Sequence, residues 1–153
     1  MQTCCSSNAY IIKSCSLPNR KVKEKTLMLY KNILLVDDDP DDAEIFMEAV
    51  GFVNEKIIMR HIDNPVKAFQ ELETLENLPD LIFLDYNMPL MNGKEFLEQI
   101  KSKGILRSIP VILISTPSEE FVFDLLEKRE IIRYMSKPSS YNELIRMLKE
   151  VIV

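Results

Sequence analysis

Five short apolar runs, each followed by a stretch in which apolar residues recur at helical spacing, dominate the sequence from residue 32 onward. This alternation is typical of βα units, and consecutive βα units build a parallel sheet. Three runs are uniformly apolar and predict central strands covered on both faces, whereas the runs containing Arg60-His61 and Arg133-Tyr134 predict edge strands. The predicted strands are Ile33 to Val36, Ile57 to Ile62, Leu81 to Leu84, Val111 to Ile114 and Ile131 to Met135.

Local signals indicate where several helices begin. Asp39-Pro40 and Asn64-Pro65 each place a capping side chain before a proline that suits the first helical turn. Ser140 with Glu143 predicts a capping box for the last helix. Helices three and four are expected near 92–103 and 118–128, the former entered through a turn at Asn92-Gly93.

Length and charge indicate a single acidic domain. The chain has 153 residues, 46% of them hydrophobic, which is enough for one core and too little for two domains of ordinary size. Residues 1–30 show no apolar period and carry five Lys/Arg against one Glu, whereas the remainder carries fourteen Lys/Arg against twenty-three Asp/Glu. We therefore predict a disordered tail over 1–30 and one folded domain over 31–153, whose acidity disfavours nucleic-acid binding.

The same composition bears on location. No apolar run is long enough to span a bilayer, so we expect a soluble protein with no membrane partner. All three cysteines lie in the tail, at a spacing that matches neither a zinc site nor a disulfide framework. A body without cysteine suits a reducing compartment, and the expected location is the cytoplasm.

Polar residues follow four of the five apolar runs. Asp37-Asp38 come after the first run, Asp85 after the third, Ser115-Thr116 after the fourth and Lys137-Pro138 after the fifth. Because parallel strands point the same way, their carboxyl ends meet at one edge of the sheet, where such folds bind ligands. These residues are therefore expected to form one site.

Carboxylates gathered in this way indicate a cation site. Three of them within a few ångströms would repel one another unless a cation neutralised them. Oxygen ligands suit Mg²⁺, and the lack of nearby His and Cys argues against zinc. A carboxylate such as Asp85, placed beside Mg²⁺ and the ammonium of Lys137, can attack phosphorus and form an aspartyl phosphate.

Four segments of the sequence form a recognisable set of motifs. They are Leu35-Val36-Asp37-Asp38-Asp39, 85–93 (Asp-Tyr-Asn-Met-Pro-Leu-Met-Asn-Gly), Pro110 to Ser115 and Tyr134-Met135-Ser136-Lys137-Pro138. In the order and spacing of these motifs, the sequence from 31 to 153 resembles the receiver domain of two-component response regulators. The resemblance implies a doubly wound, flavodoxin-like sheet with strand order 2-1-3-4-5 and five helices.

The resemblance also implies a role for each site residue. Asp85 would be the phosphoacceptor and Lys137 would contact the phosphoryl oxygens. Ser115 would be the hydroxyl that moves to the phosphoryl group, Tyr134 the aromatic residue that turns inward with it, and the peptide bond before the proline after Lys137 would be cis. The implied Mg²⁺ ligands are Asp37, Asp38, Asp85 and the backbone carbonyl of Asn87.

The implied partners follow from this chemistry. A histidine kinase or a histidine phosphotransfer protein would donate the phosphoryl group, and a downstream protein would dock near helix four, strand five and helix five. Because the chain ends at Val153 with its fifth helix, we expect a response regulator of one domain, with no enzymatic activity of its own.

Two other functions remain open at this point. A Mg²⁺-dependent phosphohydrolase of the haloacid dehalogenase type would also use an Asp nucleophile. Such an enzyme needs a second Asp as general acid two residues after the nucleophile, where this chain has Asn87. A binding module with a degenerate site, which works without phosphorylation, is the other alternative. Turnover of para-nitrophenyl phosphate would favour the enzyme, and a slowly decaying stoichiometric phosphoprotein the receiver.

Some residues near the motifs are not expected to act in the site, and others differ from the usual family pattern. Asp42 is expected to be a solvated charge near a helix start, and His61 to be exposed and structural. Thr116 stands where the family usually has Ala or Gly, so a longer-lived aspartyl phosphate is expected than in Thr116→Ala, and equal decay rates would contradict this. The 127–133 segment lacks the usual Ala-Gly-Ala turn, which leaves the end of helix four open.

Overall fold

The computed structural model describes residues 30–115 and 119–153. The predicted tail therefore lies almost wholly outside the described residues, as does Thr116. Within the described ranges, no helix is long and apolar enough to cross a membrane. The strands are β1 Asn32–Val36, β2 Ile58–Ile62, β3 Leu81–Asp85, β4 Val111–Ser115 and β5 Arg133–Ser136, and the helices are α1 Pro40–Val53, α2 Pro65–Thr74, α3 Gly93–Ser102, α4 Glu119–Glu127 and α5 Tyr141–Ile152, with a 3-10 turn at Ile105–Ser108.

The five strands form one parallel sheet in the order β2-β1-β3-β4-β5, as predicted. β3 and β4 are buried along their whole length, and β1 is buried except at its first residue, since helices cover both faces of the sheet. β2 and β5, which carry the charged residues Arg60 and Arg133, are the edges. The expected fold class is thereby confirmed.

Two apolar layers hold the helices on the sheet. α1 and α5 pack on one face, where Phe46 meets Phe83 edge-on with ring centroids 4.9 Å apart. α2, α3 and α4 cover the other face, with Phe96 of α3 fully buried. The layers leave the carboxyl ends of the strands open at one edge, where the connecting loops meet.

The predicted caps of α1 and α2 are confirmed. Asp39 accepts hydrogen bonds from the backbone N–H groups of Asp41 and Asp42, and Asn64 does the same at the start of α2. α3 begins with a full capping box between Asn92 and Glu95, which is more than the entry turn expected there.

The capping box predicted for α5 is only half correct. Ser140 accepts a hydrogen bond from the N–H of Glu143, as expected. The Glu143 carboxylate, however, accepts from the backbone N–H and the hydroxyl of Ser139. Ser139 offers two donors side by side, which lower the pKa of Glu143 and outcompete the single N–H of the cap residue.

α4 ends in a Schellman motif that the sequence did not indicate. The N–H of Glu130 bonds the carbonyl of Leu125, and the N–H of Arg129 bonds that of Leu126. Arg129 has φ 57°, a left-handed conformation that glycine usually supplies. Because this turn occupies the chain after α4, β5 begins at Arg133 and not at Ile131, as the apolar run had suggested.

The described residues contain no cis peptide bond. The implied cis bond before Pro138 is therefore wrong for this structure, in which the Lys137–Pro138 bond is trans. Trans is the lower-energy form of an X–Pro bond by about 0.5–1 kcal/mol.

Candidate functional site

The predicted site residues converge at the carboxyl edge of the sheet. Asp37 follows β1, Asp85 is the last residue of β3, Ser115 is the last residue of β4, and Lys137 follows β5. The strand order places β1, β3, β4 and β5 next to one another. Residues that are far apart in the sequence thus line one crevice because each of them ends a neighbouring strand.

Three carboxylates form the floor of this crevice. One oxygen each from Asp37, Asp38 and Asp85 lie within 4.8 Å of one another. Asp37 and Asp85 are only 5% and 3% exposed, and Asp38 is more open than either. A small cluster of carboxylate oxygen atoms is the donor set that suits a hard divalent cation.

Burial shapes the ionisation of the two inner carboxyls. It raises the pKa of Asp85, and the charge of Asp38 adds to this, against the opposing effect of Lys137. Burial likewise raises the pKa of Asp37, whose hydrogen bond from the Asp39 N–H works in the other direction. Their negative charge is therefore costly without a compensating cation, and a divalent ion would relieve it.

Lys137 supplies one positive charge to the crevice. Its Nζ lies 3.7 Å from Oδ2 of Asp85 and donates a hydrogen bond of 3.1 Å to Oδ2 of Asp42. Burial alone would lower the pKa of Lys137, but Asp42 and Asp85 outweigh it and the net shift is upward. The ammonium is therefore charged at neutral pH. Asp42, expected to be merely a solvated charge, is a direct partner of this lysine.

Ser115, Asn87 and Tyr134 are connected by hydrogen bonds. The side-chain amide of Asn87 donates to Oγ of Ser115 at 3.2 Å, and the Tyr134 hydroxyl donates to the carbonyl of Ser115 at 2.6 Å. Ser115 is fully buried and Tyr134 half-buried. The end of β4 is thus linked on one side to the loop after Asp85 and on the other to β5.

His61 of β2 also reaches the site. Its Nε2 donates a hydrogen bond of 2.7 Å to the backbone carbonyl of Asp37. The expectation that it is exposed was wrong, because the ring is half-buried. The only sequence signal was its position one residue before the end of β2, beside the strand that leads into the acidic loop.

Gly93 allows the loop after Asp85 to close against the sheet. Its N–H donates to the carbonyl of Tyr86 at 2.9 Å. A Cβ at this position would lie 2.8 Å from Cα of Tyr86 and 3.1 Å from the carbonyl oxygen of Asp85. A side chain here would therefore collide with the backbone beside the central carboxylate.

A cavity of about 230 Å³ adjoins the charged crevice between α1 and α5. Asp42 and Lys137 lie at its polar side, and Ile45 and Tyr141 are partly exposed along its rim. The charged site is thus bordered by a cavity that has both polar and apolar walls.

Comparison with known proteins agrees with this geometry. The family model of the response regulator receiver domain matches residues 33–149. The chain belongs to this family. Over 126 residues, this receiver is 29% identical to the response regulator Rcp1 of Synechocystis sp., a match that covers 79% of the chain and 86% of Rcp1.

Other relatives are longer than this chain. The receiver is 30% identical over 118 residues to the nitrate/nitrite response regulator protein NarL of Escherichia coli, covering 77% of the chain but 53% of NarL. The match therefore spans about half of that protein, and receivers of this family also occur as parts of larger ones.

Solved structures of receivers share the fold. The phosphorylated cyanobacterial phytochrome response regulator RcpA superposes with a TM-score of 0.70 at 28% identity, covering 80% of this chain and 91% of RcpA. The Mn²⁺-bound form of Rcp1 gives 0.69 at 25% identity, covering 79% and 91%. The flavodoxin-like receiver architecture is thus established.

Proposed function

We propose that this receiver domain accepts a phosphoryl group on Asp85 in a Mg²⁺-dependent reaction and passes the signal on through a changed protein-docking surface. The observation that carries the proposal is the meeting of two carboxylates, Asp37 and Asp38, and the ammonium of Lys137 around a buried Asp85. A solved structure of the similar RcpA is of the phosphorylated protein, which supports the same chemistry here.

The residues present fit Mg²⁺. Asp37, Asp38 and Asp85 would hold it, together with the backbone carbonyl of Asn87, and the Mn²⁺-bound form of the similar Rcp1 supports a divalent ion in this family. When bound, the ion would neutralise the carboxylates and the charge that develops on the transferring phosphoryl group.

Asp85 acts as the nucleophile. One of its carboxylate oxygens attacks phosphorus, the bond to the donor's imidazole nitrogen breaks, and that nitrogen keeps the electron pair. Its Oδ1 accepts a long hydrogen bond of 3.4 Å from the N–H of Asn87, and its Oδ2 faces the ammonium of Lys137. Lys137 at 3.7 Å is close enough to follow the phosphoryl oxygens once they arrive.

Ser115 and Tyr134 form the proposed switch. The Ser115 hydroxyl is held by Asn87, two residues after the phosphoacceptor, and can turn to a phosphoryl oxygen by rotation about one bond. The hydroxyl of Tyr134 is bonded to the carbonyl of the same serine, so a shift at the end of β4 reaches β5 directly. The switch therefore connects Asp85 to the surface of β5.

The downstream partner is proposed to dock on α4, β5 and α5. Phe123 of α4 is 68% exposed, and Leu126 and Ile132 are also exposed on the same part of the chain. Exposed apolar side chains that lie together in a patch are common sites of protein interaction. Because Tyr134 lies on β5, movement of the switch would alter this surface.

The phosphoryl donor is proposed to be a histidine kinase or a histidine phosphotransfer protein. It would approach beside the cavity between α1 and α5, where Ile45 and Tyr141 provide apolar contact next to Lys137.

The site does not favour the phosphohydrolase alternative. Such an enzyme needs a general acid at the position of Asn87, and an amide cannot give up a proton in this way. The Asn87 amide instead donates a hydrogen bond to Ser115.

The decisive experiment is incubation with acetyl phosphate or phosphoramidate, with and without Mg²⁺, followed by intact mass. The wild-type chain is expected to gain one phosphoryl group only with the metal, and Asp85→Asn none. Asp41→Asn is the matched control, because it removes an exposed carboxylate from the neighbouring turn and is expected to behave as wild type. A wild-type chain that never gains metal-dependent mass would refute the proposal.

A further inference from the structure

His61 is the single histidine of the chain, and it contacts the acidic loop from a neighbouring strand. In the sheet register, it lies opposite Leu35 of β1, a residue of the apolar layer under α1 and α5. The half-buried ring therefore lies on this face of the sheet and reaches past the end of β1. Its Nε2 lies 2.7 Å from the carbonyl oxygen of Asp37.

The chemistry of this contact defines which atom carries the hydrogen. A backbone carbonyl can only accept, so Nε2 of the imidazole must be the donor. Both the neutral ring protonated on Nε2 and the imidazolium can donate from this atom, and the contact therefore does not depend on the charge of the ring.

The carbonyl that His61 binds belongs to the peptide between Asp37 and Asp38. This peptide joins two of the three clustered carboxylates, so its orientation determines where both of them point. The ladder between β1 and β2 is weakening here, since the N–H of Asp37 reaches the carbonyl of Ile62 only at 3.4 Å. The shorter bond from the imidazole is thus the firmer link between β2 and the loop.

We propose that His61 is a positioning residue for the cation site, a role that rests on the proposed binding of Mg²⁺ by the acidic loop. It holds the peptide between Asp37 and Asp38 so that both carboxylates face Asp85. Groups that orient metal ligands from behind commonly change metal affinity when they are removed. The position acts through the loop and touches neither the cation nor the phosphoryl group.

Three variants test this role by Mg²⁺ titration calorimetry. His61→Ala removes the donor and is expected to weaken Mg²⁺ binding about 2- to 13-fold, the range for loss of one neutral hydrogen bond. His61→Gln places an amide N–H near the position of Nε2 and is expected to restore most of the affinity. Arg60→Ala is the control, an exposed residue of the same strand, and is expected to bind as wild type.

A spectroscopic measurement on the wild-type chain separates positioning from mere folding support. Because there is one histidine, the ring nitrogens give one set of ¹⁵N signals, expected to show hydrogen on Nε2 and to shift on Mg²⁺ addition. If wild type binds Mg²⁺ without a change in the ring signals, or if His61→Ala binds Mg²⁺ as tightly as wild type, the role of His61 is refuted and the proposed function is unaffected. If wild type binds no Mg²⁺, the proposed function fails and this role with it.

Discussion

Replacing Gly93 with alanine should destabilise the domain at the point where the phosphoacceptor loop closes. The added Cβ would lie 2.8 Å from Cα of Tyr86 and 3.1 Å from the carbonyl oxygen of Asp85, both backbone atoms that cannot rotate away. The hydrogen bond from the Gly93 N–H to Tyr86, at 2.9 Å, holds the two segments together as well. Overpacking of this kind costs about 1–3 kcal/mol.

Gly51→Ala is the matched control, because it makes the same chemical change where the structure leaves space. Gly51 lies inside α1 and is exposed, and a methyl group added to its Cα would meet no atom within 4 Å. Alanine there is expected to stabilise the domain by about 0.5–1 kcal/mol, since glycine is the poorer helix former. At Gly93, the first residue of α3, that helical benefit is small and the collision dominates.

Urea unfolding at 25 °C measures both effects as changes in the free energy of unfolding. We expect the two variants to move the midpoint in opposite directions, with the Gly93 variant also accepting less phosphate from acetyl phosphate because the backbone of Asp85 must shift. A Gly93→Ala variant as stable as wild type would show that the close approach of these backbone segments does not constrain the loop.

Three further outcomes are expected. Arg129→Gly should raise the free energy of unfolding by about 1 kcal/mol in urea titrations, because glycine adopts φ 57° without the cost that an L side chain incurs; a loss of stability would contradict the Schellman turn. Burial raises the pKa of Asp85 above its unfolded value, so the metal-free domain should gain stability as the pH falls from neutral through that raised pKa. In thermal unfolding across pH, Asp85→Asn should gain less stability than wild type and should be the more stable protein at neutral pH. An equally large gain in the variant would contradict the effect of burial on Asp85. Asp42→Asn releases Lys137 from its 3.1 Å partner and should raise the ratio of phosphorylated to unphosphorylated chain about 1.5- to 5-fold at fixed acetyl phosphate, the scale of an exposed ion pair of about 0.2–1 kcal/mol, whereas Asp41→Asn should leave the ratio unchanged.

Local patterns in the sequence were enough to predict the strands and the polar groups at their ends, whereas the family resemblance supplied the strand order. The uniform apolar runs specified the central strands, and the charged runs around Arg60 and Arg133 specified the edges, because burial on both faces excludes charge. Asp39 and Asn64 were correctly assigned as caps, since capping depends on atoms within three residues. The carboxylates and the lysine were brought together by strand ends alone.

Contacts between distant elements are not encoded in local patterns and came only with the packed fold. Asp42 meets Lys137 across 95 residues of sequence, and His61 meets Asp37 across 24. Neither pairing follows from a period or a cap, since each depends on the distance between an element and a loop of another part of the chain once the sheet has formed. The Schellman turn at Arg129 escaped prediction because its left-handed residue is not a glycine. Sequence patterns thus specified which groups reach the edge of the sheet, and packing selected which of them touch, because hydrogen bonds and ion pairs depend on ångström-scale distances.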